Sequence, residues 1–415
     1  MAKILITLLG TGQKSKGDSN NNQYVLTNYR IDKKLYENRS FVSSAIVEHY
    51  NIEKVYTIGT KESMWDNLCT FYNTDDEYSY KILDLKDNKK LTEEVLEELS
   101  RAIDTKLEKS GSKCFIVEQS ENDDEIWILF EKILGILDEV EDGDELYFDI
   151  THLFRSISVF SMIMAEFAQI TRDITISGMF YGLLKSNEPS IVIDLTLFFE
   201  FLAWTRAIKS LKDYGNATEL LKLLEKSNQS KDVVNSFKGF AYSLSISDMG
   251  ELQNSIAILK GKMDNFIFNS SPIIRLVSKD LMAFVNRFGK FKENELAKFQ
   301  FELAKWYNEN SNHAMAYITL AEATVTAVCE VHNYDSSNKD DRKEAQKILF
   351  NYNTWNKGYS KELQKIGETY SRINNIRNNI AHKLTGSSRR SKSSPQNSVE
   401  NLSNYISILE ATLKQ

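Results

Sequence analysis

Of 415 residues only three are cysteine, three proline and five histidine. Cys69, Cys114 and Cys329 stand far apart, with no Cys-x-x-Cys pair and no histidine at metal-ligand spacing, which excludes a disulfide scaffold and a zinc finger or ribbon. They read as reduced packing residues. The chain also lacks a basic excess: 51 Lys and Arg against 58 Asp and Glu give a net charge of −7, which argues against broad electrostatic capture of nucleic acid. Room remains for a local basic site, and Lys383, Arg389, Arg390 and Lys392, around a Ser-rich stretch, form one such cluster within what reads as a solvated loop. No apolar run reaches the roughly 20 residues that a spanning helix requires. The opening MAKILITLLG is too short, and too soon broken by Gly10, to read as a signal peptide. A cytoplasmic protein with no membrane partner is the expectation.

The first half alternates strand and helix. Lys3 to Leu9 is a near-continuous apolar run ended by Gly10-Thr11-Gly12, the pattern of a buried parallel strand feeding a tight loop. An Asn-rich loop, Gln13 to Asn22, and an outlying strand, Tyr24 to Ile31, follow. Lys54 to Ile58 is a second strand, ending in Gly59-Thr60-Lys61-Glu62-Ser63; Lys113 to Val117 is a third. Glu145 to Ile150 runs straight into Thr151-His152-Leu153-Phe154-Arg155-Ser156 and then an apolar helix, and strands at Ile174 to Tyr181 and Ile191 to Leu195 complete the series. Helical stretches at Ser40 to Tyr50, Leu91 to Lys109 and Glu125 to Val140 fill the gaps. This order predicts a parallel, Rossmann-like sheet with helices on both faces. In such sheets ligands sit outside the carboxyl ends of the strands, at a topological switch point. Three polar strand ends are candidates: Gly10 to Gly12, Gly59 to Ser63, and Thr151 to Ser156. Their hydroxyls, the N–H groups at a helix start and the cation Arg155 suit a nucleotide backbone. Gly-Thr-Gly lacks the further glycine of a dinucleotide fingerprint, so a nicotinamide enzyme fits poorly.

From Leu197 onward the strand signal stops, and eight helical stretches from Phe198 to Phe350 follow. Pro272 alone interrupts them, so an all-helical second half is expected, with a joint near Asn269 to Pro272. A ninth helical run from Ser360 to Gly386 carries Arg377-Asn-Asn-Ile-Ala-His382. On an ideal helix Arg377 and His382 lie about 140° apart, whereas Asn378 and His382, four apart, share a face. One chain therefore offers half a polar site more readily than a whole one.

DITHLFRS after a strand, with LLGTG at the start and IGTKESMW between, resembles the CARF sensor domain of CRISPR-associated type III ancillary proteins. RNNIAH in a C-terminal helical bundle resembles the Arg-x4-His signature of HEPN ribonucleases. The family usually has glycine at the position of Leu153. The resemblance spans nearly the whole chain and implies residues 1–195 as an α/β Rossmann-like CARF domain, 196–271 as an all-α linker and 272–415 as a HEPN helical bundle. Ligand contacts carried over fall on Gly10, Thr11, Gly12, Thr60, Lys61, Glu62, Ser63, Thr151, His152, Arg155 and Ser156. The catalytic pair falls on Arg377 and His382. The resemblance implies a homodimer that binds cyclic oligoadenylate as an allosteric activator and cuts single-stranded RNA.

The chemistry is consistent with these residue types. A histidine titrates where it can take the proton of a 2′-hydroxyl, and a guanidinium can stabilise the charge that develops on the adjacent phosphate, leaving a 2′,3′-cyclic phosphate. Asn378 is a candidate to orient the ring or a phosphate oxygen. No compact carboxylate cluster in the sequence suggests a site for catalytic Mg2+, so no metal cofactor and no DNA substrate are expected. Two alternatives stay open: a nucleotide-binding interaction module whose RNNIAH is structural, and a sensor half that also degrades its own ligand.

Overall fold

The computed structural model describes residues 2–12, 26–118, 122–152, 155–172, 174–185, 188–268, 270–353, 358–382 and 394–413. The chain divides into two compact units, Met1–Phe199 and Glu200–Gln415. The Asn-rich loop expected at Gln13 to Asn22 and the cations Lys383, Arg389, Arg390 and Lys392 lie outside the described residues.

In the first unit the order is β1 (Lys3–Leu9), β2 (Thr27–Ile31), β3 (Lys34–Arg39), α1 (Ser43–Tyr50), β4 (Lys54–Gly59), α2 (Trp65–Phe71), α3 (Asp76–Asp87), α4 (Glu97–Leu107), β5 (Lys113–Ile116), α5 (Asp123–Gly135), β6 (Glu145–Asp149), α6 (Arg155–Thr171), β7 (Thr175–Leu183) and β8 (Ser190–Asp194). All eight strands form one sheet in the order β3-β2-β8-β7-β6-β1-β4-β5. Five of them, β5-β4-β1-β6-β7, are parallel neighbours. The chain works outward from β1 to β4 and β5, then returns to the other side of β1 with β6 and β7, so the switch point lies between β1 and β6.

The sheet departs from the all-parallel expectation at one side. β8 runs antiparallel to β7, because the short link from Leu183 to Ser190 is too brief for the crossover that a parallel neighbour needs. β2 and β3 form an antiparallel hairpin through Asp32 and Lys33, with Asp32 in the left-handed region at φ 51°. β3, KLYENR, escapes a reading by hydrophobicity because only Tyr36 is buried. Polar α3 and short α2 escape it too, although Trp65 and Ile82 anchor them fully.

β1 shows why the central strands read as continuous apolar runs. Leu5 and Leu9 enter a core with residues of α1, α2 and α4, whereas Ile4, Ile6 and Leu8, equally buried, alternate with them onto the opposite face. Cys69 and Cys114 belong to the former core, and burial pushes both thiols up to about 12, so they stay protonated and unreactive.

The second unit is helical: α7 (Leu197–Tyr214), α8 (Thr218–Lys226), α9 (Lys231–Ile246), α10 (Met249–Phe268), α11 (Pro272–Phe288), α12 (Leu296–Glu309), α13 (His313–His332), α14 (Lys339–Tyr352), α15 (Lys361–His382) and α16 (Pro395–Leu413). One apolar core runs from Trp204 to Leu409. The expected joint at 269–272 falls on the turn between α10 and α11, where Ser271 caps α11 and Pro272 opens it, and Phe266 and Ile274 on either side share that core. α13 is apolar enough in length and composition to cross a membrane, but from Ala316 to Cys329 only Ile318 and Glu322 escape full burial. A helix apolar on nearly all sides is what the centre of a bundle requires.

Candidate functional site

Two constellations carry the polar chemistry, one in each unit. The first is built on the carboxyl ends of β1, β4 and β6. At the switch point Thr7 of β1 stands beside Asp149 of β6, and the Thr7 hydroxyl donates to Asp149 Oδ2 at 2.8 Å. The other carboxylate oxygen accepts from the Thr151 amide at 3.0 Å and from the Thr151 hydroxyl at 2.5 Å. Thr151 Oγ1 in turn accepts from the Gly182 amide of β7 at 2.8 Å. Asp149 is thus a buried hub that fixes the loop leaving β6. Burial raises its carboxyl above the ordinary range, while nearby His152 and the three donors pull the other way. His152 is half-buried, and its Nε2 finds no hydrogen-bond partner among the described residues.

The loop after β4 is held as firmly. Ser63 is fully buried; its hydroxyl donates to the Leu9 carbonyl at 2.6 Å and accepts from the Thr60 amide at 2.8 Å. The Met64 amide donates to the Gly10 carbonyl at 2.9 Å, tying this loop to the end of β1. Trp65 packs over the turn with Nε1 donating to the Thr60 carbonyl at 2.8 Å, and Gly59 makes room for it, since a Cβ there would lie 2.6 Å from the indole. Ser63 was expected among the ligand contacts. The structure places it beneath the loops, buried, with its hydroxyl joining the end of β1 to the loop after β4.

Of the other expected contacts, Thr11, Gly12, Glu62 and Ser156 are exposed, and Gly10, Thr60, Lys61, Thr151 and His152 are partly so. Gly12 adopts φ 74°, a conformation that glycine accepts freely. Lys61 is paired with Glu118 at 2.6 Å and Glu62 with Lys89, so neither offers an uncompensated charge. Leu153 lies outside the described residues, as does the side chain of Arg155, whose backbone opens α6.

The second constellation joins α13, α14 and α15. Arg377 projects from α15 with its Nη1 donating to Asn378 Oδ1 at 3.2 Å and its Nη2 to Glu322 Oε1 at 3.3 Å. The second carboxylate oxygen of Glu322 takes Arg342 of α14 in a short ion pair. Arg342 also donates to the Ser336 carbonyl at 3.1 Å and the Thr326 hydroxyl at 3.3 Å. Buried Tyr370, one helical run before Arg377, feels this cluster: burial, aided by Glu322, pushes its phenol up to about 12. His382 is the last residue of α15, and its side chain lies outside the described ones. Asn378 is engaged by Arg377, its neighbour.

The sequence alone did not bring forward Thr7, Glu322 or Arg342. One signal existed for Glu322: it is the only charged residue in the stretch Ala316 to Cys329. A lone carboxylate on a core helix demands a partner.

A doubly wound α/β unit with polar loops at its switch point is followed by a helical unit carrying Arg377-x4-His382. The chain is similar to CRISPR-associated protein MJ1674 of Methanocaldococcus jannaschii, with 30% identity over 426 aligned residues that cover 98% of this chain. The chain spans 66% of that relative's length. A family model described as the second domain of CRISPR-associated protein MJ1674 matches residues 200–298. Among solved structures, Enterococcus italicus Csm6 bound to cyclic hexa-2′-fluoro-hexa-dAMP aligns with 100% of this chain and 94% of its own, at 13% identity and a TM-score of 0.41.

Proposed function

We propose that the protein is an endoribonuclease that cuts single-stranded RNA and is switched on by a cyclic oligoadenylate. The observation that carries this reading is Arg377: a side chain 37% exposed, its guanidinium tethered by Asn378 and Glu322, on the same helix as His382. In the reaction, His382 takes the proton of a 2′-hydroxyl, the 2′-oxygen bonds to the adjacent phosphorus and the bond to the 5′-oxygen breaks, leaving a 2′,3′-cyclic phosphate and a 5′-hydroxyl after proton return. Arg377 stabilises the charge on the non-bridging oxygens. The nucleophile belongs to the RNA itself, so no metal is required to generate it, and a chelator should leave the rate unchanged.

The activator is assigned to the first unit. Gly10 to Gly12, Thr60, Thr151, His152 and Ser156 lie on the polar loops and helix start at the carboxyl ends of β1, β4 and β6, which Ser63 and Asp149 brace from beneath. Activation requires that the ring bind the cleaving state more tightly than the silent one.

Two copies of the chain are proposed to meet through α6. Val159, Ile163, Phe167 and Ile170 are exposed at spacings of four, four and three, one apolar stripe running from the Thr151 to Ser156 loop along the helix. A twofold axis on that stripe brings two such loops toward one symmetric ring. A dimer also answers the helical geometry of Arg377 and His382, which favours a site completed by two chains.

The test is cleavage of labelled single-stranded RNA with and without cyclic tetra- and hexa-adenylate. Ring-dependent cutting that disappears in Arg377→Ala and in His382→Ala is expected. Cutting that survives both substitutions, or none with either ring, would overturn the reading.

A further inference from the structure

We infer that Glu322 and Arg342 are positioning residues that set how much positive charge Arg377 presents to the RNA phosphate; this rests on the nuclease reading above. Glu322 reaches two guanidinium groups at once, and it divides itself unequally. Oε2 makes the short contact with Arg342, whereas Oε1 meets Arg377 at 3.3 Å, a length typical of a weak bond. Arg342 cannot readily leave, since its other terminal nitrogen is spent on the Ser336 carbonyl and the Thr326 hydroxyl, the latter on a fully buried residue of α13.

The charges then add up in a way that suits catalysis. Two guanidiniums and one carboxylate leave one net positive charge, and the carboxylate is held on the side of Arg342, which the Ser336 carbonyl and the Thr326 hydroxyl fix in place, whereas Arg377 reaches it through a single bond at 3.3 Å. Arg377 is steered by the long contact without being neutralised by it. Were Arg342 absent, Glu322 would turn both oxygens to Arg377 in the bidentate geometry that carboxylates and guanidiniums favour, and would compete with a phosphate for the same donors.

That competition gives the arrangement a signature a merely structural role lacks. Arg342→Ala should lower kcat for ring-activated cleavage on the order of tenfold or more. In the same variant, the salt dependence of binding to a 2′-deoxy-substituted, uncleavable strand should flatten by about 0.7 in log–log slope, the mark of one lost phosphate contact. The double variant Glu322→Gln/Arg342→Ala, which removes the competing charge, should regain most of the lost rate and slope. Equal inactivity of the single and double variants, with both melting like the wild type, would overturn the inference, as would full activity of Arg342→Ala. If Arg342→Ala melts early, Arg342→Lys decides: it keeps a cation beside Glu322, so it should cut within about threefold of the wild type, and a deeper loss in a folded protein would overturn the inference. A wild type that cuts no RNA would instead sink the nuclease reading itself.

Discussion

Gly367 lies inside α15, where helix propensity and packing make opposite demands. Propensity alone says that alanine should replace glycine in a helix interior with a gain of about 1 kcal/mol. The packing says otherwise. A Cβ on Gly367 would lie 2.6 Å from the Asn353 amide nitrogen, 2.7 Å from Tyr352 Cβ and 2.8 Å from the Leu349 carbonyl oxygen, at the end of α14. Two of these are backbone atoms and the third is a Cβ, so no flexible side chain can swing aside. Forced overpacking of this kind costs roughly 1–3 kcal/mol, and more where backbone must move. We expect Gly367→Ala to be destabilised by about 1–2 kcal/mol net, which for a unit of this size lowers the melting temperature by about 2–8 °C. Because α14 carries Arg342 and α15 carries Arg377, prying the two helices apart should also cost RNA cleavage. Gly261 of α10 supplies the control: it is exposed, and a Cβ there meets nothing within 4 Å. Gly261→Ala should raise the melting temperature by about 2–4 °C, as propensity alone dictates. Thermal melts of the two variants beside the wild type decide the matter. A rise in both would refute the claim that close helix approach, rather than chance, keeps glycine at position 367.

Further outcomes follow from the first unit. Ser63→Ala removes the donor to the Leu9 carbonyl and the acceptor for the Thr60 amide, so a loss of about 1–3 kcal/mol in urea unfolding and weaker ring binding are expected. Unchanged affinity would mean that the two loops do not need to be stitched to hold the ring. The raised carboxyl of Asp149 means that the folded state holds its proton more tightly than the unfolded chain does. Its contribution is therefore complete below the ordinary carboxylate range and is lost as pH rises through the raised value. Asp149→Asn, uncharged throughout, should flatten that part of the stability curve, and parallel curves for the two proteins would contradict the assignment. Ile163→Glu with Phe167→Glu places two charges on the exposed stripe of α6. If the proposed dimer forms through this stripe, sedimentation should show the variant at half the mass of the wild type, with ring-activated cleavage lost, and an unchanged mass would move the interface elsewhere.

The α/β plan of the first unit was legible because buried parallel strands must be apolar on both faces, and because each strand here ends in a polar or glycine-rich loop. The helices of the second unit were legible from their period and from the scarcity of proline. Local pattern was silent where polar elements owe their place to one anchor, as in β3 with Tyr36 and α2 with Trp65. Direction was legible only through the link: the few residues between the last two expected strands are too short for a parallel crossover, and the parallel expectation overlooked that. The clearest limit is Ser63. Its type and place in the loop after β4 matched a ligand contact, yet whether a hydroxyl turns toward solvent or toward the neighbouring strand depends on the strand beside it. The same holds for Arg377, which the sequence brought forward through its spacing from His382. Its partner Glu322 lies 55 positions earlier. Residue order fixes which helix faces are apolar, since that follows from a period of a few residues. Which carboxylate meets which guanidinium follows from the packing of α13, α14 and α15, and that only the tertiary structure decides.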